Sequence, residues 1–392
     1  MGGRLSARLA TLKKPNWRGM RRHIKVADKS GAATVVIERK TMSVMAATAA
    51  LAASAGGLHY SGFEAPTFGP ILNFAVCALA LAGIAHVIGE ATDQLGNHLG
   101  PAVTGVVQAA VASLPELFVC IFSLKAGLVT LVQASLIGSI LGNVLLLLGL
   151  AFIVGGRKHG VLVFESQSPR MISTLLLLAV SALVLPTLAQ ELHLPAGDHE
   201  QPLAIVCAIV LLIVFLVHTD AMLTQGQRAV PSEAHARAHA WPISTAFLVL
   251  ALCGAAAGLV SDWFVEALEP AIEMLGINQT FAGLVIVAIA GNAVENVVGV
   301  RLAAEGKADF AVSIILNSAL QIAVALVPLL VLVSFWLGGD AFTLAIPPIL
   351  AVALFLSVLV VTVVTVDGRA DMVDGAALIG LYVIIAAIFW WG

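Results

Sequence analysis

Charge is what this 392-residue chain has least of. Asp, Glu, Lys and Arg together make up 11% of it, against about 25% in an ordinary soluble domain. Hydrophobic residues supply 60%, which excludes a soluble globule. The net charge of −3, with few cations beyond the first 40 residues, leaves no basic stripe for nucleic acid. The four cysteines, Cys77, Cys120, Cys207 and Cys253, lie singly in apolar stretches with no CxxC spacing, so neither a zinc site nor a disulfide framework is indicated. Neither HExxH nor GxSxG occurs, which disfavours a hydrolase set in the membrane. No enzyme chemistry and no resident cofactor is expected.

What is present is a series of apolar runs, each long enough to cross a bilayer. The spans fall at 42–58, 68–90, 102–124, 129–155, 170–190, 202–219, 242–263, 279–301, 309–335, 342–365 and 371–391. This is an all-α polytopic membrane protein of about eleven transmembrane helices, in contact with membrane lipid. Of the 20 Lys and Arg residues, 11 lie within the first 40 positions. Residues 1–41 therefore read as a basic cytoplasmic tail able to touch anionic head groups. With the N-terminus inside, Arg157, Lys158, Arg170, Arg228, Arg237, Arg301, Lys307 and Arg369 all fall on the cytoplasmic side and only Lys125 falls outside. That bias is the positive-inside rule, and it puts the C-terminus outside. A bacterial inner membrane is the expected location.

One stretch occurs twice. At an ungapped offset of 179, Val106, Ala109, Glu116, Val119, Gly127, Ser139 and Leu141 match Val285, Ala288, Glu295, Val298, Gly306, Ser318 and Leu320. The same offset carries Glu90 onto Glu269. The Glu116 and Glu295 spans are five apart in order, so the two copies cross in opposite directions. An inverted-topology repeat recurs among secondary transporters, whose sites lie near the midplane at the repeat interface. Residues 68–219 form a first five-helix half, 220–241 a cytoplasmic linker and 242–391 a second half. The helix at 42–58 stands outside the duplication.

An acid inside an apolar span is costly and marks a functional site by default. Side chains three or four apart share a helix face, so Ser113 sits beside Glu116, and Asn292 beside Glu295. In the following helices Ser135, Ser139 and Asn143 recur at four-residue spacing and Ser318 and Gln321 at three. Small residues at that spacing also serve helix packing. Pro115 and the nearby Gly138, Gly142 and Gly291 permit broken helices with exposed carbonyls. His86, His98 and His218 are unrepeated and read as satisfied polar groups.

The repeated donor set is oxygen throughout, which suits hard cations such as Ca2+, Na+ or H+ and argues against Cu, Zn or Fe. Two carboxylates balance one divalent cation. Without it, desolvation and mutual repulsion favour protonation, so one site holds either Ca2+ or protons. That is the minimum chemistry of an antiporter. Exchange of Na+ or K+ for H+ on the same scaffold, or a passive cation channel, would use the same residues, and a homo-oligomer is left open.

GLVIVAIAGNAVEN followed by DFAVSIILNSALQIA resembles the second signature repeat of the calcium:cation antiporter superfamily, in its calcium/proton antiporter branch. GEATDQLGNHLG and VQASLIGSILGNVLLLLGLAFIVGG resemble that branch around its first repeat, and GRADMVDGAAL at 368–378 is more weakly similar. The likeness covers residues from about 74 to 335. It implies a core of ten helices in two inverted halves, and export of Ca2+ against inward proton flow by alternating access. It also implies that Glu116 and Glu295 are the shared Ca2+ and proton ligands. Asn292, Ser139, Ser318 and Gln321 would be supporting ligands or gate residues. The chain departs from that pattern at Ser113, which stands where the first copy usually has Asn. Asn296 replaces a common His, and Asn317 replaces the Gly of the second Gly-Ser.

Overall fold

The computed structural model describes residues 39–61, 69–99, 113–164, 167–228, 241–337 and 341–391. Most of the expected basic tail (1–41), most of the linker (220–241) and the first half of the expected 102–124 span lie outside the described residues. The regular structure described is helical except for two short strands. Apolar sequence in lipid has no water to satisfy its backbone, so helices that bond internally are the available solution.

The chain opens with α1 (Arg39–Ser61) and α2 (Gly69–Leu99). Next come α3 (Leu114–Lys125), and α4 (Val129–Leu141), which runs through a π-turn, π1 (Gly142–Leu147), into α5 (Leu148–His159). Strand β1 (Leu162–Val163), α6 (Gln167–Glu191), a 3-10 turn (Pro195–His199) and α7 (Glu200–Arg228) complete the first half. The second half begins with α8 (Ile243–Leu275), then α9 (Gln279–Phe281), π2 (Ala282–Val287) and α10 (Ala288–Gly291). It continues with α11 (Ala293–Ala304), and with α12 (Ala308–Gln321), π3 (Ile322–Leu326) and α13 (Val327–Ser334). It closes with α14 (Pro348–Thr365), β2 (Arg369–Ala370) and α15 (Met372–Trp391).

The duplication read from sequence reappears in the element boundaries. Helices α3 and α11 start and stop 179 residues apart, as Leu114 to Ala293 and Lys125 to Ala304. Helices α4 and α12 both start at that offset, and π1 and π3 both end at it. Gly127 and Gly306, also 179 apart, take φ of 79° and 77°. That left-handed conformation is open to glycine at no steric cost, so each turn that follows a site helix is built the same way twice.

Among the described residues nine helices are long and apolar enough to span a membrane. The expected spans around the two acids are different. The 279–301 segment is not one helix: Asn292, at φ −98° and ψ 11°, interrupts it between α10 and α11. In the first copy Ser113 takes φ −83° and ψ 0° immediately before α3. Elsewhere the expected edges shift. Helix α2 runs on to Leu99, and α14 begins at Pro348 rather than 342, since proline is well placed in a first turn.

Side-chain contacts sort the loops into two ends. At one end Gln133 Nε2 donates to Ala345 O at 3.0 Å, Thr187 Oγ1 to Leu344 O at 3.1 Å and Asn278 Nδ2 to Phe389 O at 2.8 Å. At the other, Leu162 pairs with Ala370 and Val163 with Arg369, antiparallel. His159 Nε2 lies 3.2 Å from Ala304 O beside them. The extra helix α1 packs on α2 and α8, with His59 Nδ1 3.2 Å from Glu266 Oε2 and stacked on Trp263.

The halves meet where α4 crosses π2. A Cβ on Gly283 would come within 2.6 Å of Leu131 O, and one on Gly138 would strike the Leu284 carbonyl. Only glycine at both positions lets the backbones approach this closely. The crossing lies one residue from Ser139.

Candidate cation site

The site is assembled from helix ends. Glu116 is the third residue of α3 and Glu295 the third of α11. A first turn carries unpaired N–H groups and the positive end of the helix dipole, which favours a carboxylate there. Pro115 fits the first turn of α3 because its missing N–H is an orphan there in any case. Broken helices whose N-termini face into the bundle are how transporters form midplane ion sites. The side chains of residues 293–297 lie outside what is described, so Glu295 is placed by its backbone alone.

Five of the eight residues singled out from sequence join in one hydrogen-bonded chain. Ser139 Oγ donates to Glu116 Oε1 at 2.5 Å. Asn292 Nδ2 donates to Ser139 Oγ at 3.0 Å and to Ala288 O at 2.9 Å. Asn143 Nδ2 donates to Ser318 Oγ at 3.1 Å and lies 3.5 Å from Asn292 Oδ1. The network links α3, α4, π1, the break at Asn292 and α12, so both halves contribute. Ser139, Asn143 and Asn292 are all buried.

One atom stands out in it. Asn143 is 0% exposed, and its Oδ1 is buried without a hydrogen-bond partner. Leaving such an acceptor unsatisfied costs about 1–3 kcal/mol. A hard cation is one group that an amide carbonyl beside serine hydroxyls and a carboxylate would satisfy.

The remaining candidates are placed differently. Ser113 sits at the start of α3, half-buried, and its carbonyl accepts Leu117 N–H at 2.9 Å. Gln321 is half-buried one turn beyond Ser318, and among the described residues it is not joined to the network. Ser135 is buried and lines, with Glu116, a narrow cleft between α2, α3, α8 and α10. Its other walls include Phe264, Val119 and Val287, so the carboxylate faces a space with apolar walls.

Two features escaped the sequence reading. The π-turns π1 and π3 follow the site helices directly, and π2 precedes the break. Such single-turn insertions cluster at functional sites, and no residue pattern announces them. Ser261 is the other: fully buried on α8, its Oγ lies 3.5 Å from Pro115 O. Its lack of a counterpart in the first copy hid it.

A duplicated bundle with paired acids at helix N-termini and an oxygen-lined centre defines a class, the membrane cation exchangers. The comparisons make it specific. The sodium/calcium exchanger protein family matches the chain twice, over residues 70–220 and 245–391, and the chain belongs to that family. A Ca(2+)/H(+) antiporter of Aphanothece halophytica is 30% identical over 337 residues, covering 81% of this chain and 89% of that protein. The Ca(2+)/H(+) antiporter ChaA of Bacillus subtilis is 32% identical over 325 residues, covering 81% and 91%. Among solved structures, native YfkE superposes with a TM-score of 0.72 at 29% identity, covering 88% of this chain and all of that one.

Proposed function

We propose that the chain is a secondary transporter that exchanges Ca2+ for H+ by alternating access, with Glu116 and Glu295 as the shared ligands. The network from Glu116 through Ser139, Asn292 and Asn143 to Ser318 carries this reading. It supplies one half-helix acid, two amide carbonyls and two hydroxyls, with one acceptor left open, and Glu295 holds the matching place at the start of α11. The relatives named as Ca(2+)/H(+) antiporters support the choice of ions.

The chemistry follows from who donates to whom. Ser139 Oγ donates a hydrogen bond to Glu116 Oε1, so its hydroxyl proton is directed at the carboxylate. Binding Ca2+ requires that hydroxyl to turn its lone pairs inward and release the carboxylate. Asn143 Oδ1 and Asn292 Oδ1 can then share the cation with the two acids. When the cation leaves, protons take its place on Glu116 and Glu295, since two bare carboxylates near one another in low dielectric repel. The two five-helix halves run in opposite directions in this reading. The positive-inside bias places the linker in the cytoplasm, so Ca2+ leaves the cell as protons enter.

Everted membrane vesicles holding an imposed pH gradient test this. Ca2+ uptake should collapse when the gradient is dissipated, and should be lost in both E116Q and E295Q. Gradient dissipation by Na+ or K+ but not Ca2+ would move the assignment to monovalent exchange. Ca2+ flux without proton counterflow would make the protein a channel.

A further inference from the structure

Glu116 has two surroundings. Its Oε1 takes the Ser139 hydroxyl and so joins the buried amides. It also lines the narrow cleft between α2, α3, α8 and α10, together with Ser135. Ser135 lies one turn before Ser139 on α4, so the two serines share a helix face, and α4 packs on α3. Of the hydrogen-bonded network, Glu116 alone lines the cleft, and Ser139, Asn143, Asn292 and Ser318 do not. The second copy lacks this arrangement, because the repeat puts Ile314, 40% exposed, at the place of Ser135, which is 2% exposed.

Space and polarity decide what the cleft can hold. It leaves ≈ 20 Å³ for the centre of a water-sized sphere, and one water needs about 10–15 Å³ by that measure. One water fits, and a cation with its hydration shell does not. A bare Ca2+ takes about six to eight oxygens, whereas the side chains lining the cleft supply one carboxylate and one hydroxyl. A water needs about two to four polar partners, and Glu116 and Ser135 are two. We propose that the cleft is a binding site for a single water, as H2O or H3O+, held between Ser135 Oγ and the Glu116 carboxylate, and that protons reach Glu116 through it. The inference rests on the exchange argued above. Arriving as hydronium, the water gives one proton to the carboxylate: one O–H bond breaks on the water, one forms on Glu116, and a neutral water is left. A serine hydroxyl accepts from hydronium and donates to water, so Ser135 holds both forms as a positioning residue. The proton that replaces the cation then arrives without passing the amides that held it.

Nothing else in the cleft competes for that proton. Among the residues that line it, Glu116 is the titratable one. Helices α4 and α10 and the turn π2 carry none. Among the described side chains of the other helices, Cys77, His86 and Glu90 on α2 and Cys120 and Lys125 on α3 stay outside its wall. On α8 the same holds for Cys253, Asp262, Glu266, Glu269 and Glu273. The rest of the wall, with Leu81, Val119, Phe264 and Val287, is apolar, so Ser135 and Glu116 set the orientation of the water.

The test joins Ca2+ uptake by the full-length protein in proteoliposomes to time-resolved infrared spectroscopy of the same preparation. S135A should lower the maximal rate of proton-driven uptake by about three- to tenfold, the effect of one neutral hydrogen bond, and leave the Ca2+ half-saturation in place. S135V, which fills the space as well, should lower the rate at least as far. In Ca2+-free protein at low pH, the carboxylic C=O band that E116Q lacks reports exchange of the Glu116 proton with D2O. That exchange should slow in S135A by a similar factor, whereas a loss of packing alone would not slow it. Exchange as fast in S135A as in the parent protein would overturn the proposal. So would a Ca2+ half-saturation that rises at an unchanged maximal rate, which would make Ser135 a cation ligand. If S135V does not fold, S135A carries both arms. The infrared arm needs no transport, so slowed exchange at Glu116 in a protein without Ca2+/H+ exchange refutes the function and not the water.

Discussion

Ser139 Oγ lies 2.5 Å from Glu116 Oε1, across the gap between two helices 23 residues apart in sequence. The bond joins the acid to the buried amides of both halves. When Ca2+ binds, that hydroxyl must leave the carboxylate and turn its lone pairs to the cation, so S139A removes one ligand oxygen and the apparent Ca2+ affinity should fall. The Ca2+ dependence of initial uptake rates in everted vesicles measures it. An unchanged half-saturation would mean that Ser139 is packing only.

Asn143 should be the least replaceable neutral residue in the site. N143L keeps the volume and removes both donors, leaving Ser318 Oγ and Asn292 Oδ1 without them. The buried Asn292 amide oxygen, once its donor is removed, costs about 1–3 kcal/mol. N143L is therefore expected to lose uptake and to lower the unfolding midpoint in detergent. N143D keeps a carbonyl-type oxygen and adds charge, so it should retain cation binding while changing its pH dependence. Equal behaviour of the two variants would contradict the ligand role.

Gly138 and Gly142 are four residues apart and look alike in sequence, yet the structure separates them. A Cβ at Gly138 meets Leu284 backbone, whereas at Gly142 nothing lies within 4 Å. Overpacking at such a crossing typically costs about 1–3 kcal/mol, and more where backbone must move. G138A should lower the unfolding midpoint clearly, and G142A should leave it nearly in place. Similar thermal-shift values for the two variants would refute this account of the crossing.

These contrasts show what the sequence could reveal. The offset of 179 announced the paired acids, Ser139 and Ser318, because a duplication leaves matching residues at a fixed spacing. It also carried over to helix ends and to the Gly127 and Gly306 turns, whose positive φ selects glycine. The break at Asn292 was less visible, since no proline marks it and the apolar run continues across it. Gly138 could have been a ligand-side or a packing residue by spacing alone. Only the position of Leu284 decides, and that depends on how the two halves dock. Residues without a repeat partner, Ser261 and His218, gave no periodic signal at all.

Glu305 offers a control outside the membrane. Hydrogen bonds from Lys307 Nζ at 2.8 Å and Arg301 Nε at 2.9 Å hold its carboxyl below the usual carboxylate range. A depressed folded-state value means that the ion pairs add stability above the unfolded value, about 4.3. That stability is lost as pH falls through the folded value. At neutral pH the contribution is present in full but screened, because the group is exposed. E305Q should thus leave the pH profile of uptake between 6 and 8 (roughly neutral pH, well above the carboxylate range) unmoved. A shifted profile would implicate this loop in the proton-linked step.

The two serines matched by the repeat should not be equivalent. Ser139 donates to a carboxylate, whereas Ser318 accepts from the neutral Asn143 amide. Charge-assisted hydrogen bonds are roughly twice as strong as neutral ones. On that ground S139A and S318A should change apparent Ca2+ affinity by different factors, S139A acting through Glu116 and S318A through Asn143. The pairing also fixes a coupling. S318A removes the acceptor that N143L leaves without a donor, so the double variant should cost less than the sum of the singles. S139A and N143L, joined only through Asn292, should be closer to additive. Uptake kinetics of the three single and two double variants decide it. Equal losses in S139A and S318A, with full additivity in both pairs, would mean that the copies contribute symmetrically and that the asymmetric network does not set the ion site.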